Sequence, residues 1–141
     1  MWVFLAKILL VLSIAYIIGT ERAREGKVIG FRSTAILIFG AFMYTTLALR
    51  VGGDVTRIIG QIMTGIGFLG AGVIFKSDQK DIHNITTSIL IWVLPVIGML
   101  IGLSCIFEAI VGALVLLLLL IYRPSSHVDN SSEGEIHSPS N

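Results

Sequence analysis

Three things are scarce in this chain of 141 residues. It has one cysteine, Cys105, so an internal disulfide and a cysteine-based zinc site are excluded. It has three histidines, two of them in the last 15 residues, which leaves little for a metal site or a histidine-dependent catalytic centre. Charge is short as well: Asp, Glu, Lys and Arg make up 13%, about half the usual ~25% of a soluble domain. The net charge of +1 gives no electrostatic footprint for nucleic acid. What fills the space is apolar. With Gly counted and Tyr left out, apolar residues reach about 64%, against roughly 45–50% in soluble domains. The mean hydropathy is +0.90. A soluble domain of this size would have to expose much of that surface, which soluble monomers do not do. The composition is that of a membrane protein.

A helix crosses ~30 Å of hydrocarbon with about 20 apolar residues. Trp2 to Gly19 is such a run, broken only by Lys7. Ser33 to Leu49 and Ile58 to Phe75 carry no charge, and Ile85 to Tyr122 carries one, Glu108. The last run is too long for one crossing and suits two, joined by a tight turn at Gly102 to Ser104. The expected fold is an all-α bundle of five transmembrane helices, at about 2–19, 33–49, 58–75, 85–102 and 105–122. The first segment lacks a basic flank and a small-residue cleavage site, so it is expected to stay in place as a helix. Residues 124–141 are rich in Ser, Asn, Glu and Gly and are expected to form a disordered cytoplasmic tail.

Orientation follows the basic residues of the short loops. An outside N-terminus places seven of them inside, among them Arg22, Arg24, Lys27 and Arg32, and leaves Arg50 and Arg57 outside. The expectation is N-out and C-in.

Glycine is the chemistry of the third helix. Gly65, Gly67 and Gly70 spell G-x-G-x-x-G. No acidic residue follows at nucleotide-site spacing and both flanks are membrane runs, so a dinucleotide site is excluded. On a helix, Gly60, Thr64, Gly67 and Ala71 fall within about 60° of one another, and Gly65 and Gly72 form a second strip. Small residues on two faces permit close backbone approach in lipid. They predict a glycine-rich helix at the centre of the bundle, with a lesser alternative in which Gln61 and Thr64 line a narrow polar path.

Intramembrane charges are costly and count as functional candidates. Lys7 and Glu108 sit at similar depth and are expected either to pair or to snorkel to the interface. Glu21 is expected either to be solvated or to pair with Arg22 or Arg32. Asp54 is a candidate N-cap for helix three and a candidate ligand for an external cation. Asn84, Thr86 and Thr87 have a cap reading at the start of helix four. Trp92 is expected to pack, and Pro95 to kink its helix unless neighbours satisfy the freed carbonyl.

These residues also stand in a familiar order. Ile18-Gly-Thr-Glu-Arg22, Gly30-Phe-Arg32-Ser, Asp54 with Arg57 and Gln61, Gly65-Ile-Gly-Phe-Leu-Gly-Ala-Gly-Val-Ile74, then Thr86-Thr87, Trp92, Gly98 and Gly102 follow one another. The chain resembles the MgtC/SapB family of bacterial inner-membrane proteins over about residues 3–122. It departs at Thr20, where Leu is usual, at Ser33 for Thr, at His83-Asn84 for Arg-Gly, and at Pro95 in an Ala-rich stretch. Glu108 belongs to no motif of the family. Longer members carry a folded domain after the last helix, so the resemblance is to the short form.

The resemblance implies a cytoplasmic-membrane protein tied to magnesium limitation and acid stress. Members often bear the label of magnesium transporters, and a regulatory role through contact with the membrane ATP synthase is implied for MgtC itself. No nucleophile–base set and no Walker loop is visible, so the expectation is a non-enzyme without a cofactor or a firm metal site. The leading expectation is a regulator of ion homeostasis acting through membrane partners, such as an ATP synthase subunit. The alternatives are an oligomeric transporter or channel for Mg²⁺ or another small ion, using Asp54, Gln61, Thr64 and Glu21, and a structural subunit of a larger complex. Its other partners are the lipid bilayer and further copies of itself.

Overall fold

The computed structural model describes residues 1–24, 29–75 and 85–122. These form five helices: α1 (Trp2–Arg24), α2 (Phe31–Val51), α3 (Val55–Phe75), α4 (Ile85–Gly102) and α5 (Ile106–Ile121). There is no strand among the described residues. The tail, the loop lysines Lys27, Lys76 and Lys80, and Asn84 and Arg123 lie outside the described residues.

α1, α2 and α3 extend past their apolar runs at one end or both, while α4 matches its run and α5 falls one residue short of it at each end. α1 continues past Gly19 through Glu21, Arg22 and Arg24, because hydrogen bonding carries on where hydrocarbon stops. α1, α2 and α4 are each long and apolar enough to cross a membrane. α5 is apolar, but its 16 residues rise only about 24 Å. α3 has 21 residues, carries Arg57, Gln61 and five glycines, and is not one of the three. The joint between α4 and α5 is the expected tight turn. Leu103 N–H donates to Met99 O at 2.9 Å and Cys105 N–H to Leu100 O at 2.9 Å, with Ser104 left-handed at φ 68°.

The helix at the centre is α4, not α3. α4 packs on all four of the others, most broadly on α2. Its Leu90, Leu94, Ile97 and Ile101 meet Val11, Ile14 and Ile18 of α1, Ile38 and Phe42 of α2, and Ala109 and Ala113 of α5 in one buried cluster. Two glycines explain the choice. A Cβ on Gly98 would strike the Ile38 carbonyl and come within 3.0 Å of Phe42 N. One on Gly102 would lie 2.8 Å from Thr45 Cβ. Only glycine lets α4 lie that close to α2, and in lipid such contact replaces the hydrophobic drive between helices. α4 continues through Pro95, which is buried.

α3 lies to one side. It touches α4 and, more sparingly, α2. Ile66 joins a second cluster with Ala41, Ile91 and Met99. The side chains that Trp2, Leu9, Phe68, Phe107 and Leu118 present outward are those a lipid-facing surface requires.

Candidate functional site

At one end of the bundle α1 is tied to α4 by an arginine. Arg22 is 2% exposed and donates from Nη2 to Thr87 Oγ1 at 2.9 Å. Its position in the last turn of α1 sets a cation beside the negative end of the helix dipole. A buried guanidinium is costly without hydrogen bonds, so the Thr87 hydroxyl matters here as an acceptor for Arg22. Arg32 and Thr86 are exposed, and Glu21 is half-buried at the same end. Trp92 does not pack away as expected and remains 52% exposed.

At the opposite end Lys7 does not reach Glu108. Its Nζ donates to Ser104 Oγ at 2.8 Å and to Gly102 O at 3.4 Å. Glu108 is exposed. The reason is local: α4 ends with carbonyls that lack helical partners, and a lysine ammonium satisfies one of them while favouring the dipole. On α2, Arg50 places its guanidinium carbon 5.6 Å from the centre of the Phe4 ring, which turns it toward α1.

Asp54 takes the cap role. Its Oδ1 accepts the Arg57 N–H at 3.2 Å, at the start of α3. Further along, the Thr64 hydroxyl donates back to Gly60 O at 2.9 Å. Gln61 is exposed and lines a groove of about 650 Å³ between α2 and α3, with Tyr44 on the facing wall and Pro95 of α4 at its side. The polar-path candidates are therefore not gathered inside this bundle. Asp54, Gln61 and Thr64 face outward on α3, and Glu21 belongs to the other end. Among the described residues no three of His, Cys, Asp and Glu cluster as a metal site.

The glycines of α3 are open. A Cβ on Gly60, Gly65, Gly67 or Gly72 would meet nothing within 4 Å, and one on Gly70 would meet only Ser88 O at 3.5 Å. The crowded glycines are Gly19, Gly98 and Gly102, to which the sequence reading gave no packing role. The four-residue spacing of Gly98 and Gly102 is a small-x-x-x-small pattern that could have revealed them.

Compared with known protein families, residues 8–128 match the MgtC family. The chain belongs to the MgtC family. Among curated relatives of this MgtC-family chain, Protein MgtC of Brucella abortus is 33% identical over 72% of the chain and 43% of its own length. The protein of Escherichia coli K12 named "Putative magnesium transporter YhiD" is 33% identical over 83% of the chain and 59% of its own. Protein MgtC of Salmonella typhimurium is 28% identical over 96% and 61%. The chain thus spans about half the length of the MgtC-family relatives it matches. No solved structure matches it. Family and apolar helices together make it a membrane protein.

Proposed function

We propose that this chain is a non-enzymatic factor of the bacterial inner membrane in magnesium and ion homeostasis and stress adaptation, acting through membrane partners. The names of the relatives support the magnesium reading. The distribution of loop arginines and lysines supports the N-out, C-in orientation. The observation that carries the partner reading is the outer face of α3. Gly60, Thr64, Gly67 and Ala71 are all exposed on one strip, with open space beside both glycines. A strip of this kind lets a second helix approach to backbone distance. The main buried cluster along α4 is apolar, and α3 carries its small residues outside it.

A second reading is an oligomeric transporter or channel. It is favoured by Thr64 standing exposed within that strip and Gln61 exposed on the adjoining face, with Asp54 at its head. Copies meeting along α3 would line their seam with these groups, and Mg²⁺ held by few carboxylates keeps several waters. Reconstitution with a Mg²⁺ indicator inside liposomes separates the readings. Asp54→Asn keeps a good N-cap and so a folded α3. Flux above empty vesicles, lost in Asp54→Asn, establishes transport. Absence of flux from folded, inserted protein, with a membrane partner co-purifying from native membranes and lost in Gly67→Leu, establishes the partner reading.

A further inference from the structure

α4 carries a break in its own hydrogen bonding. Pro95 stands inside the helix and has no N–H, so the carbonyl of Ile91, four residues earlier, loses its helical donor. Ile91 is buried. In a membrane interior such a carbonyl is satisfied by a neighbouring helix, by a Ser or Thr side chain or by an ordered water.

α2 brings a donor to the same place. The Thr34 hydroxyl is fully buried and has no hydrogen-bond partner among the described residues. A buried hydroxyl left in that state is destabilising. Its direction follows from its helix. At 100° per residue Thr34, Ile38, Ala41 and Thr45 fall within about 60° of one another. Ile38 and Thr45 are the groups that stand against Gly98 and Gly102 of α4. On α4, Ile91 lies between Gly98 and Gly102 in direction, about 20° from each. The height follows from the same two contacts. Gly98 meets Ile38 and Phe42, and Gly102 meets Phe42 and Thr45, so the helices run parallel with an offset of about 58 residues. That offset sets Thr34 level with residue 92, about one 1.5 Å rise from Ile91. The Thr45 hydroxyl is also buried and unpartnered among the described residues, but it lies roughly 16 Å farther along, against Gly102.

We propose that one ordered water sits in the α2–α4 seam, accepting a hydrogen bond from Thr34 Oγ1 and donating one to Ile91 O. Thr34 Oγ1 makes no direct bond to the carbonyl, and two O–H···O bonds through a water span up to about 5.5 Å. Two polar partners facing each other across a buried seam are what an interior water requires. The link lets the central helix keep a proline. It also ties α4 to α2 about 10 Å before their backbone contact at Gly98.

The test is a double-mutant cycle on the full chain in detergent, with unfolding followed by circular dichroism. Thr34→Val keeps the shape and removes the hydroxyl. Pro95→Ala returns an N–H to Ile91 O. The expected result is that Thr34→Val lowers the folding constant about fivefold or more beside Pro95, and lowers it not at all in the Pro95→Ala chain. Thr34→Ser, which keeps the hydroxyl, should retain the coupling. Hydroxyl-radical footprinting in ¹⁸O-labelled water reads the water itself. Ile91, Leu94 and Pro95, all buried, should take up label in the wild type above the level of buried Ile101, and lose it in Thr34→Val. Should Pro95→Ala fail to fold, the footprints of wild type and Thr34→Val carry the test alone. Equal stabilisation by Thr34→Val in both backgrounds overturns the proposal, because the hydroxyl then has no partner to lose. Label at Ile91, Leu94 and Pro95 no higher than at Ile101, or unchanged in Thr34→Val, overturns it as well.

Discussion

α3 and α4 are both glycine-bearing helices in the same bundle, and they use glycine in opposite ways. On α4, Gly98 and Gly102 are fully engaged, each with an α2 group where a Cβ would need to sit. On α3, Gly60, Gly65, Gly67 and Gly72 face open space. One helix spends its small residues inside the chain and the other keeps them available. Glycine content therefore identifies a helix capable of close approach, and the location of the neighbouring backbone decides what approaches it.

The contrast can be broken most sharply at Gly98. Gly98→Ala should destabilise the bundle by about 3 kcal/mol or more, since the methyl meets the Ile38 backbone and not a side chain that can move. Unfolding in detergent followed by circular dichroism measures it. Arg22→Met should cost about 2 kcal/mol by removing a charged hydrogen bond to buried Thr87 and leaving that hydroxyl without this donor. Gly102→Ala should cost about 1–2 kcal/mol. There the obstacle is the Thr45 side chain, so adding Thr45→Ala should recover part of the loss, and a double-mutant cycle reads the coupling. On α3 the effects shrink. Asp54→Ala should cost about 1 kcal/mol through loss of the N-cap. Gly67→Leu should leave the monomer within about 0.5 kcal/mol of wild type, while abolishing partner capture. A collapse of the Gly67→Leu monomer would erase the distinction between the two helices.

The helices themselves were legible in the sequence because long apolar runs separated by short polar loops permit little else in a bilayer. The turn at Gly102–Ser104 and the Asp54 cap were legible for a similar reason: each depends on neighbours within a few residues. The position of α3 was not. The small-residue strips are real, but spacing along one helix holds no information about which helix lies opposite. The Lys7 contact failed for a related reason. Equal depth made Glu108 look like the partner, yet the free carbonyl at Gly102 and the Ser104 hydroxyl lie nearer. The arginine tie to Thr87 joins residues 65 positions apart and needed the packed structure to appear.

The shortness of α5 has a consequence for the membrane. Sixteen residues rise about 24 Å, some 6 Å less than a typical hydrocarbon layer. In the five-crossing arrangement the mismatch at α5 is met by thinner lipid beside it, by snorkelling of its flanking residues or by association, while the 23-residue α1 needs none of these. Each ångström of mismatch costs a fraction of a kcal/mol. Where the lipid thins, the protein tilts the local thickness of its own bilayer, and neighbours with short spans would collect on the α5 flank without any contact designed to hold them.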